Sequence, residues 1–288
     1  MTAKPPSSAS RAPGGGTWPS VTADRAGSFN AAAVQYAAGR PSYPPAVLDA
    51  VEELWGRSSA GALAVDVGAG TGIATRLLRE RGARVVAVEP GAGMAVQFRR
   101  ILPAVPLVRG DGNALPLAGS CADLVTYAQS WHWTDPARAV PEAWRVLRPG
   151  GALALWWNED ALDVPWIAAQ ADRVVRHFGT DPAPRPRDHP GRLRLAFAGV
   201  SPVPAHAHRT LRWARTVPVD THLANIGSRS CFLVQGSERA RDFLAEERAR
   251  LLADRPDGLV EEVYDVLLIV VRKRGPRGRE SDRRPQRP

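Results

Sequence analysis

Residues 64–72 read AVDVGAGTG, and this stretch decides the fold. An apolar run ends in three alternating glycines, Gly68, Gly70 and Gly72, and continues directly into a segment with helical periodicity. Glycine lets a backbone approach a ligand closely, and the start of a helix offers unpaired N–H groups with a partial positive charge. The stretch therefore predicts a strand–loop–helix unit suited to a carboxylate or to part of a nucleotide. A tight turn without a ligand is the alternative.

Two acidic residues follow the glycine loop at informative positions. Glu89 ends a second apolar run, and from there a carboxylate can accept hydrogen bonds from both ribose hydroxyls of an adenosine. Asp111 follows the next predicted strand and could accept from an adenine amino group, although an acidic residue of a surface loop is the alternative. Open parallel sheets bind ligands at the carboxyl ends of their strands, so we expect the loop, Glu89 and Asp111 to lie together.

The rest of the chain alternates short apolar runs with amphipathic segments, which predicts an α/β fold with a largely parallel sheet. The predicted strands are Ala62–Val67, Arg84–Glu89, Val105–Val108, Ala122–Ala128, Ala152–Trp157, His206–Trp213 and Val263–Arg272, the final pair antiparallel. The predicted helices are Pro45–Trp55, Thr71–Arg81, Gly91–Leu102, Pro136–Leu147, Val164–Phe178, Asp220–Phe232 and Ser237–Ala253.

Composition sets the domain boundaries. Residues 1–26 are rich in Pro, Gly and Ser, and residues 274–288 are basic, so both predict disordered tails around one domain over 27–273. The formal net charge of +9 is concentrated in these ends, so a nearly neutral body argues against nucleic acid as a partner. Two cysteines, no apolar leader and no membrane-length apolar run favour a cytoplasmic protein without a membrane partner.

Five segments together resemble the class I S-adenosylmethionine-dependent methyltransferases, and among them the group called methyltransferase type 11. They are VDVGAGTG over 65–72, Glu89-Pro90, Gly110-Asp111 with Leu115-Pro116-Leu117, AQSWHW over 128–133, and LRPGG over 147–151. The resemblance implies a Rossmann-like fold: a mostly parallel seven-stranded sheet, an antiparallel last strand and a helical insertion. It implies an enzyme with S-adenosyl-L-methionine as cofactor, a cofactor-binding core over 27–160 and an acceptor-side elaboration over 161–255.

The resemblance also assigns roles to individual residues. The glycine loop would hold the methionine part above Asp66, Glu89 and Pro90 would hold the ribose, Met94 and the Asp111–Gly112 turn would contact the adenine, and Gln129 would lie beside the sulfonium. The predicted cofactor-binding residues are Asp66, Gly68, Ala69, Gly70, Gly72, Glu89, Pro90, Met94, Asp111, Gly112 and Gln129.

Aromatic residues surround the expected position of the transferred methyl. Trp131 to Trp133 and the pair Trp156–Trp157 could stabilise a sulfonium or enclose a flat acceptor, or could serve packing alone. His132 is the candidate catalytic residue because an imidazole can deprotonate an acceptor hydroxyl; a structural hydrogen bond is the alternative. Gln129 stands where metal-dependent relatives carry an acid, so we expect no metal.

The sequence thus predicts methylation of a small-molecule acceptor, with oxygen favoured. Arginines outnumber lysines by 36 to 2, which is typical of GC-rich bacterial genomes and favours a secondary metabolite. Four alternatives stay open: a cyclisation using the same pocket, a nucleic-acid methyltransferase, a nicotinamide oxidoreductase and a binding module without catalysis. The sequence does not indicate an oligomeric state.

Overall fold

A computed structural model describes residues 39–179, 197, 206–234 and 237–274. The predicted N-terminal tail and nearly all of the C-terminal tail lie outside these residues. The helices are α1 Ala46–Trp55, α2 Ile73–Glu80, α3 Ala92–Ile101, α4 Pro136–Val146, α5 Pro165–Phe178, α6 Val219–Gly227, α7 Ser230–Val234 and α8 Ser237–Asp254. The strands are β1 Leu63–Val67, β2 Arg84–Glu89, β3 Leu107–Arg109, β4 Ala122–Ala128, β5 Leu147–Asp160, β6 His206–Pro218 and β7 Leu259–Arg272.

The seven strands form one sheet in the order β3-β2-β1-β4-β5-β7-β6. Strands β1 to β5 pair in parallel, whereas β7 is antiparallel to both β5 and β6. The predicted fold class, mostly parallel with an antiparallel last strand, is confirmed. The chain runs outward from β1 to β3 and then returns to β4, so the strand order reverses between β1 and β4. Ligands of open α/β sheets bind outside the carboxyl ends of the strands at such a switch point.

Both faces of the sheet are covered by apolar side chains. One cluster packs α1, α2 and α3 on the sheet through residues such as Val51, Leu78 and Phe98, and a second packs α4 on the opposite face around Val146 and Leu153. A third cluster joins α5, α6, α7 and α8 beyond β5. Within the described residues, no helix combines the length and apolar character needed to cross a bilayer.

The main errors of the sequence prediction concern the last strands and one helix. Strands β5, β6 and β7 are longer than predicted because their mutual pairing continues past the apolar runs, for example at Asp160↔Tyr264 and Thr216↔Glu261. The predicted helix Asp220–Phe232 is two helices, α6 and α7. The hydroxyl of the buried Ser228 donates to the carbonyl of Asn225 at 2.7 Å, and such local side-chain bonds compete with continuation of a helix. Strand β3 is shifted to Leu107–Arg109.

Candidate active site

The glycine loop adopts the backbone that its glycines permit. Gly68, Gly70 and Gly72 have φ angles of +68°, +58° and +93°. Residues other than glycine adopt this left-handed backbone conformation only at an energetic cost. A Cβ on Gly68 would lie 2.5 Å from the Cβ of Ser130, whereas a Cβ on Gly70 would meet nothing within 4 Å. Gly68 is therefore required for packing against the segment after β4, and Gly70 faces the open side of the loop.

Glu89 organises the loop from the end of β2. Its side chain is buried, and its carboxylate accepts backbone N–H bonds from Gly70 at 2.8 Å and Gly91 at 2.6 Å. Burial raises the pKa of Glu89, and the nearby Asp66 raises it further, while the two N–H donors oppose the rise. The carboxylate thus holds the glycine loop and the start of α3 in fixed positions. Each carboxylate oxygen accepts more than one hydrogen bond, so the group fits the predicted role toward ribose hydroxyls.

Asp66 lies beneath the loop as expected, but it contacts side chains that sequence reasoning missed. Its carboxylate accepts hydrogen bonds from the hydroxyls of Thr75 at 2.6 Å and Thr126 at 3.1 Å. Burial raises the pKa of Asp66 to about 6, although both threonine bonds lower it. The three residues join β1, α2 and β4 under the loop. Asp66 and Thr126 face each other because β1 and β4 pair in parallel at these residues. The contact could have been predicted only by knowing that β4 neighbours β1. A role for Asp66 toward a water or an amino group stays a prediction.

The predicted adenine side contains Met94 and the turn after β3. Met94 is buried. The Asp111 carboxylate is exposed and accepts from the backbone N–H of Asn113 at 2.5 Å, so it stabilises its own turn. A Cβ on Gly112 would lie 2.9 Å from Thr134 and 3.0 Å from Tyr127, which explains why a glycine occupies this position. The contact between Asp111 and adenine stays a prediction, as does that of Pro90, which is exposed.

Gln129 joins the end of β4 to the end of β5. Its φ angle is +56°, unusual for a residue other than glycine, and such backbone strain is concentrated at functional sites. The side-chain amide donates to the carbonyl of Asn158 at 2.8 Å. The neighbouring Ser130 hydroxyl donates to the carbonyl of Val67 at 2.6 Å, next to the glycine loop. Residues 129 and 130 therefore tie the predicted cofactor side to the predicted acceptor side.

Asn158 is a junction that sequence reasoning did not recognise. Its amide donates to the carbonyl of Ser42 at 3.0 Å and accepts from the indole N–H of Trp213 at 2.9 Å. Trp213 in turn stacks on Tyr264, with ring centroids 5.4 Å apart. One side chain thus links the segment before α1, strand β5 and the edge strand β6. The partners lie 116 and 55 residues from Asn158 along the chain, so no local pattern indicated them.

The aromatic strip divides into buried and partly exposed rings. Trp131, Trp156 and Trp157 are buried, which favours the packing alternative for them. His132 is partly exposed and lies in a short 3-10 helix, Trp131–Trp133, which follows the end of β4. The indole N–H of Trp157 donates to Nδ1 of His132 at 3.3 Å. His132 therefore has the structural hydrogen bond that was the alternative, and its catalytic role stays a prediction.

Asp160, the last residue of β5, is paired within the protein. Asp160 binds the guanidinium of Arg229 through both oxygens at 2.7 and 2.9 Å. Among the described residues, no group of three or more His, Cys, Asp or Glu side chains is placed to hold a metal ion. Metal independence stays a prediction.

Comparison with known proteins identifies the arrangement. Residues 65–155 match the family model described as a methyltransferase domain. A methyltransferase from Mycobacterium bovis, itself named as uncharacterised, is 44% identical over 149 residues, which are 52% of this chain and 59% of the relative. The chain carries a class I S-adenosylmethionine-dependent methyltransferase domain. The chain thus matches about six tenths of the length of its first curated relatives.

Two further proteins extend the comparison of this methyltransferase domain. The malonyl-[acyl-carrier protein] O-methyltransferase of Pectobacterium atrosepticum is 33% identical over 138 residues, which are 45% of this chain and 54% of that protein. The solved structure of a candidate type II methyltransferase from Anaeromyxobacter dehalogenans superposes with a TM-score of 0.63 at 26% identity, covering 82% of this chain and 99% of the other. S-adenosylmethionine is the cofactor of such a domain, and a buried Glu89 beside an open glycine loop fits it.

Proposed function

We propose that this protein transfers a methyl group from S-adenosylmethionine to an oxygen of a small-molecule acceptor, with a secondary metabolite as the preferred class. The observation that carries the proposal is the buried carboxylate of Glu89 joined to Gly70 in the loop after β1, the strand that borders the switch point of the sheet. Methylation of oxygen is supported by the Pectobacterium relative, which is an O-methyltransferase. The charge of +9 lies mainly in the tails, which supports a small molecule over a nucleic acid.

The residues of this chain would bind and align rather than form a covalent intermediate. S-adenosylmethionine, when bound, would supply an electrophilic methyl group and would leave as S-adenosylhomocysteine when the acceptor oxygen forms its bond to the methyl carbon. Glu89 would hold the ribose, and the loop through Gly70 would accommodate the amino-acid end. Gln129 lies at the entrance to the acceptor side, where Asn158 fixes the wall formed by Trp213. Alignment of this kind can supply a large part of the rate acceleration of a displacement reaction.

The test begins with binding and continues with the product. Isothermal titration calorimetry with S-adenosylmethionine and S-adenosylhomocysteine should give heat, and NADH should give none. The protein is then incubated with a bacterial small-molecule extract and cofactor labelled with carbon-13 in the methyl group. The expected product is heavier by one labelled methyl, and the chemical shift of its carbon identifies an oxygen-bound methyl.

Three outcomes would contradict the proposal. Binding of NADH in place of S-adenosylmethionine would indicate an oxidoreductase. A product of unchanged mass would indicate a cyclisation, and a labelled methyl on nitrogen or carbon would exclude the oxygen acceptor. The exposed-site variant Glu80→Gln is the matched control, because Glu80 lies on the solvent side of α2 and should leave binding and product unchanged.

A further inference from the structure

The post-β4 segment, residues 130–135, joins the predicted cofactor side to the predicted acceptor side. It lies between β4 and α4 and carries His132. Its first residue is held against the glycine loop: the Ser130 hydroxyl donates to the carbonyl of Val67 at 2.6 Å, and a Cβ on Gly68 would lie 2.5 Å from the Cβ of Ser130. The start of the segment therefore has a fixed position relative to one part of the predicted cofactor site.

The end of the post-β4 segment is held by the turn after β3 that is predicted to contact adenine. The side-chain oxygen of Asn113 accepts the backbone N–H of Asp135 at 2.7 Å. A Cβ on Gly112 would lie 2.9 Å from the side chain of Thr134, so the backbone of the turn packs directly on the segment. Asp135 in turn begins α4, because its carboxylate accepts from the N–H of Ala137 at 3.0 Å. One amide side chain thus connects the turn to the start of a helix.

The turn itself is closed by other bonds than the one made by the Asn113 side chain. The carboxylate of Asp111 accepts the backbone N–H of Asn113 at 2.5 Å, and the carbonyl of Asp111 accepts the backbone N–H of Ala114 at 3.1 Å. Both bonds use only the main chain of residues 113 and 114, so they remain when the side chain at position 113 is changed. The Asn113 side chain therefore acts outward, on the post-β4 segment.

We propose that Asn113 is a positioning residue, through which a cofactor bound at the turn fixes the post-β4 segment and with it His132. The inference rests on the proposed function for the roles of the two sides. A ligand that holds the turn in one conformation makes the Asn113 oxygen a fixed acceptor, and the segment that donates to it becomes more ordered. An acceptor molecule that binds against an ordered segment loses less conformational entropy. The acceptor should therefore bind more tightly to the protein loaded with cofactor.

Hydrogen exchange of the full-length protein measures this coupling without an acceptor. The exchange rates of the backbone amides of Thr134 and Asp135 are measured by NMR with and without saturating S-adenosylhomocysteine. In the parent, the ligand should slow exchange about three- to tenfold, the value of one hydrogen bond. In Asn113→Ala exchange should be faster, and the ratio of the rates without and with ligand should fall toward one. A purely structural role would speed exchange equally in both states and leave this ratio unchanged, which would overturn the proposal.

Two further variants test whether the effect belongs to the Asn113 oxygen. Asn113→Asp keeps an oxygen at the same position and should restore the ratio to within about twofold of the parent, measured in about 1 M salt to screen the carboxylates of Asp111 and Asp135. Ser58→Ala is the matched control, because the Ser58 hydroxyl accepts the N–H of Ala60 at 3.1 Å in an exposed position before β1. Its ratio should equal that of the parent. An equal fall in Ser58→Ala, or no recovery in Asn113→Asp, would contradict the proposal.

Kinetics separates positioning of the segment from binding of the cofactor. The acceptor is the extract fraction that takes up labelled methyl. Asn113→Ala should raise the acceptor KM about three- to tenfold, because a smaller fraction of the protein has the segment in place. Calorimetric affinity for S-adenosylhomocysteine should stay within about threefold of the parent, since the bonds that close the turn remain. An unchanged acceptor KM together with a larger loss of cofactor affinity would show that Asn113 serves the cofactor alone and would overturn the proposal.

Failure of this inference is distinguishable from failure of the proposed function. If no fraction accepts a methyl group, the proposed function is wrong, and the role of Asn113 toward the acceptor falls with it. If methyl transfer to oxygen occurs but S-adenosylhomocysteine leaves exchange at Thr134 and Asp135 unchanged in the parent, only the role of Asn113 is wrong.

Discussion

Replacement of Glu89 by glutamine tests the centre of the cofactor site. The side chain keeps its size but loses its charge, so the change acts on hydrogen bonding rather than on packing. In the parent protein the carboxylate oxygens accept from the N–H groups of Gly70 and Gly91. A glutamine oxygen can accept from one of these groups, and its NH₂ would then face the other donor. The variant therefore disturbs both the glycine loop and the predicted ribose contacts.

The expected loss of affinity follows from the type of bond that is lost. A hydrogen bond to a charged group contributes about 1.5–3 kcal/mol, and one between neutral groups about 0.5–1.5 kcal/mol. Exchange of two ribose contacts from the first type to the second costs about 2–3 kcal/mol, which is about 30- to 150-fold in the dissociation constant. The exposed Glu80→Gln variant should bind the cofactor like the parent.

The assay is calorimetry with S-adenosylhomocysteine over a range of pH. Burial raises the pKa of Glu89. On acidification the parent should therefore lose affinity for S-adenosylhomocysteine at a higher pH than it would if the pKa of Glu89 were that of an ordinary glutamate. The sign follows from the chemistry, since protonation removes the charge that binds the hydroxyls. Glu89→Gln has no such proton to gain and should show a flat profile. Binding by the glutamine variant within about threefold of the parent, with the same pH dependence, would refute the ribose assignment.

Three further predictions concern buried charges and backbone conformation. The pKa of Asp66 is raised from 3.8 to about 6, so the parent loses stability as the pH rises between these values. At about 1.4 kcal/mol per pH unit, Asp66→Asn should be more stable than the parent at neutral pH by up to about 3 kcal/mol. Urea unfolding should show that this difference in stability disappears near pH 4. Gly70→Ala and Gly150→Ala each place a Cβ in open space at a positive φ, +58° and +82°, and each should lower the free energy of unfolding by about 1 kcal/mol. Only Gly70→Ala should weaken the binding of S-adenosylmethionine measured by calorimetry. Equal binding by the two variants would exclude Gly70 from the cofactor site. Glu262→Gln should lower stability by about 3–5 kcal/mol in thermal unfolding, because it leaves the Arg215 guanidinium without its charge partner. The pKa of Glu262 is lowered to about 2. In the parent this contribution to stability is therefore present above pH 4.5 and is lost as the pH falls toward 2.

The backbone of the predicted cofactor side followed from the sequence, because the glycine loop and the strand ends determine it. A strand that ends in alternating glycines leaves few conformations for the loop, and Glu89 follows from the position of the next strand end. Even here the sequence predicted the course of the main chain but not the contacts between side chains. The sequence suggested that Asp66 faces a water or an amino group, whereas its two threonine partners depend on β4 lying beside β1. The exposed Asp111 has the features of its alternative, an acidic residue of a surface loop, and its contact with adenine stays a prediction.

The contacts of the predicted acceptor side could not be predicted from the sequence, because they join distant segments of the chain. Strands β6 and β7 extend past their apolar runs, and their added length depends on the pairing partner rather than on local composition. The bond from Trp157 to His132 joins residues 25 positions apart, and its direction matters as much as its existence. The sequence predicted His132 near the transferred methyl but gave no information about the indole N–H that Nδ1 of His132 accepts.

The two sides also differ in what relatives can reveal about them. The family match covers residues 65–155 and therefore includes the glycine loop, Glu89 and His132. Trp157 and Asn158 lie just beyond it, and the partners of Asn158, Ser42 and Trp213, lie outside it on both sides. Most of the predicted cofactor-binding residues thus lie in the matched segment, whereas the partners of Asn158 belong to parts of the chain that the family model does not describe. The proposed acceptor must therefore be tested on this protein, because a relative that shares only the matched segment need not share the contacts of Asn158 with Ser42 and Trp213.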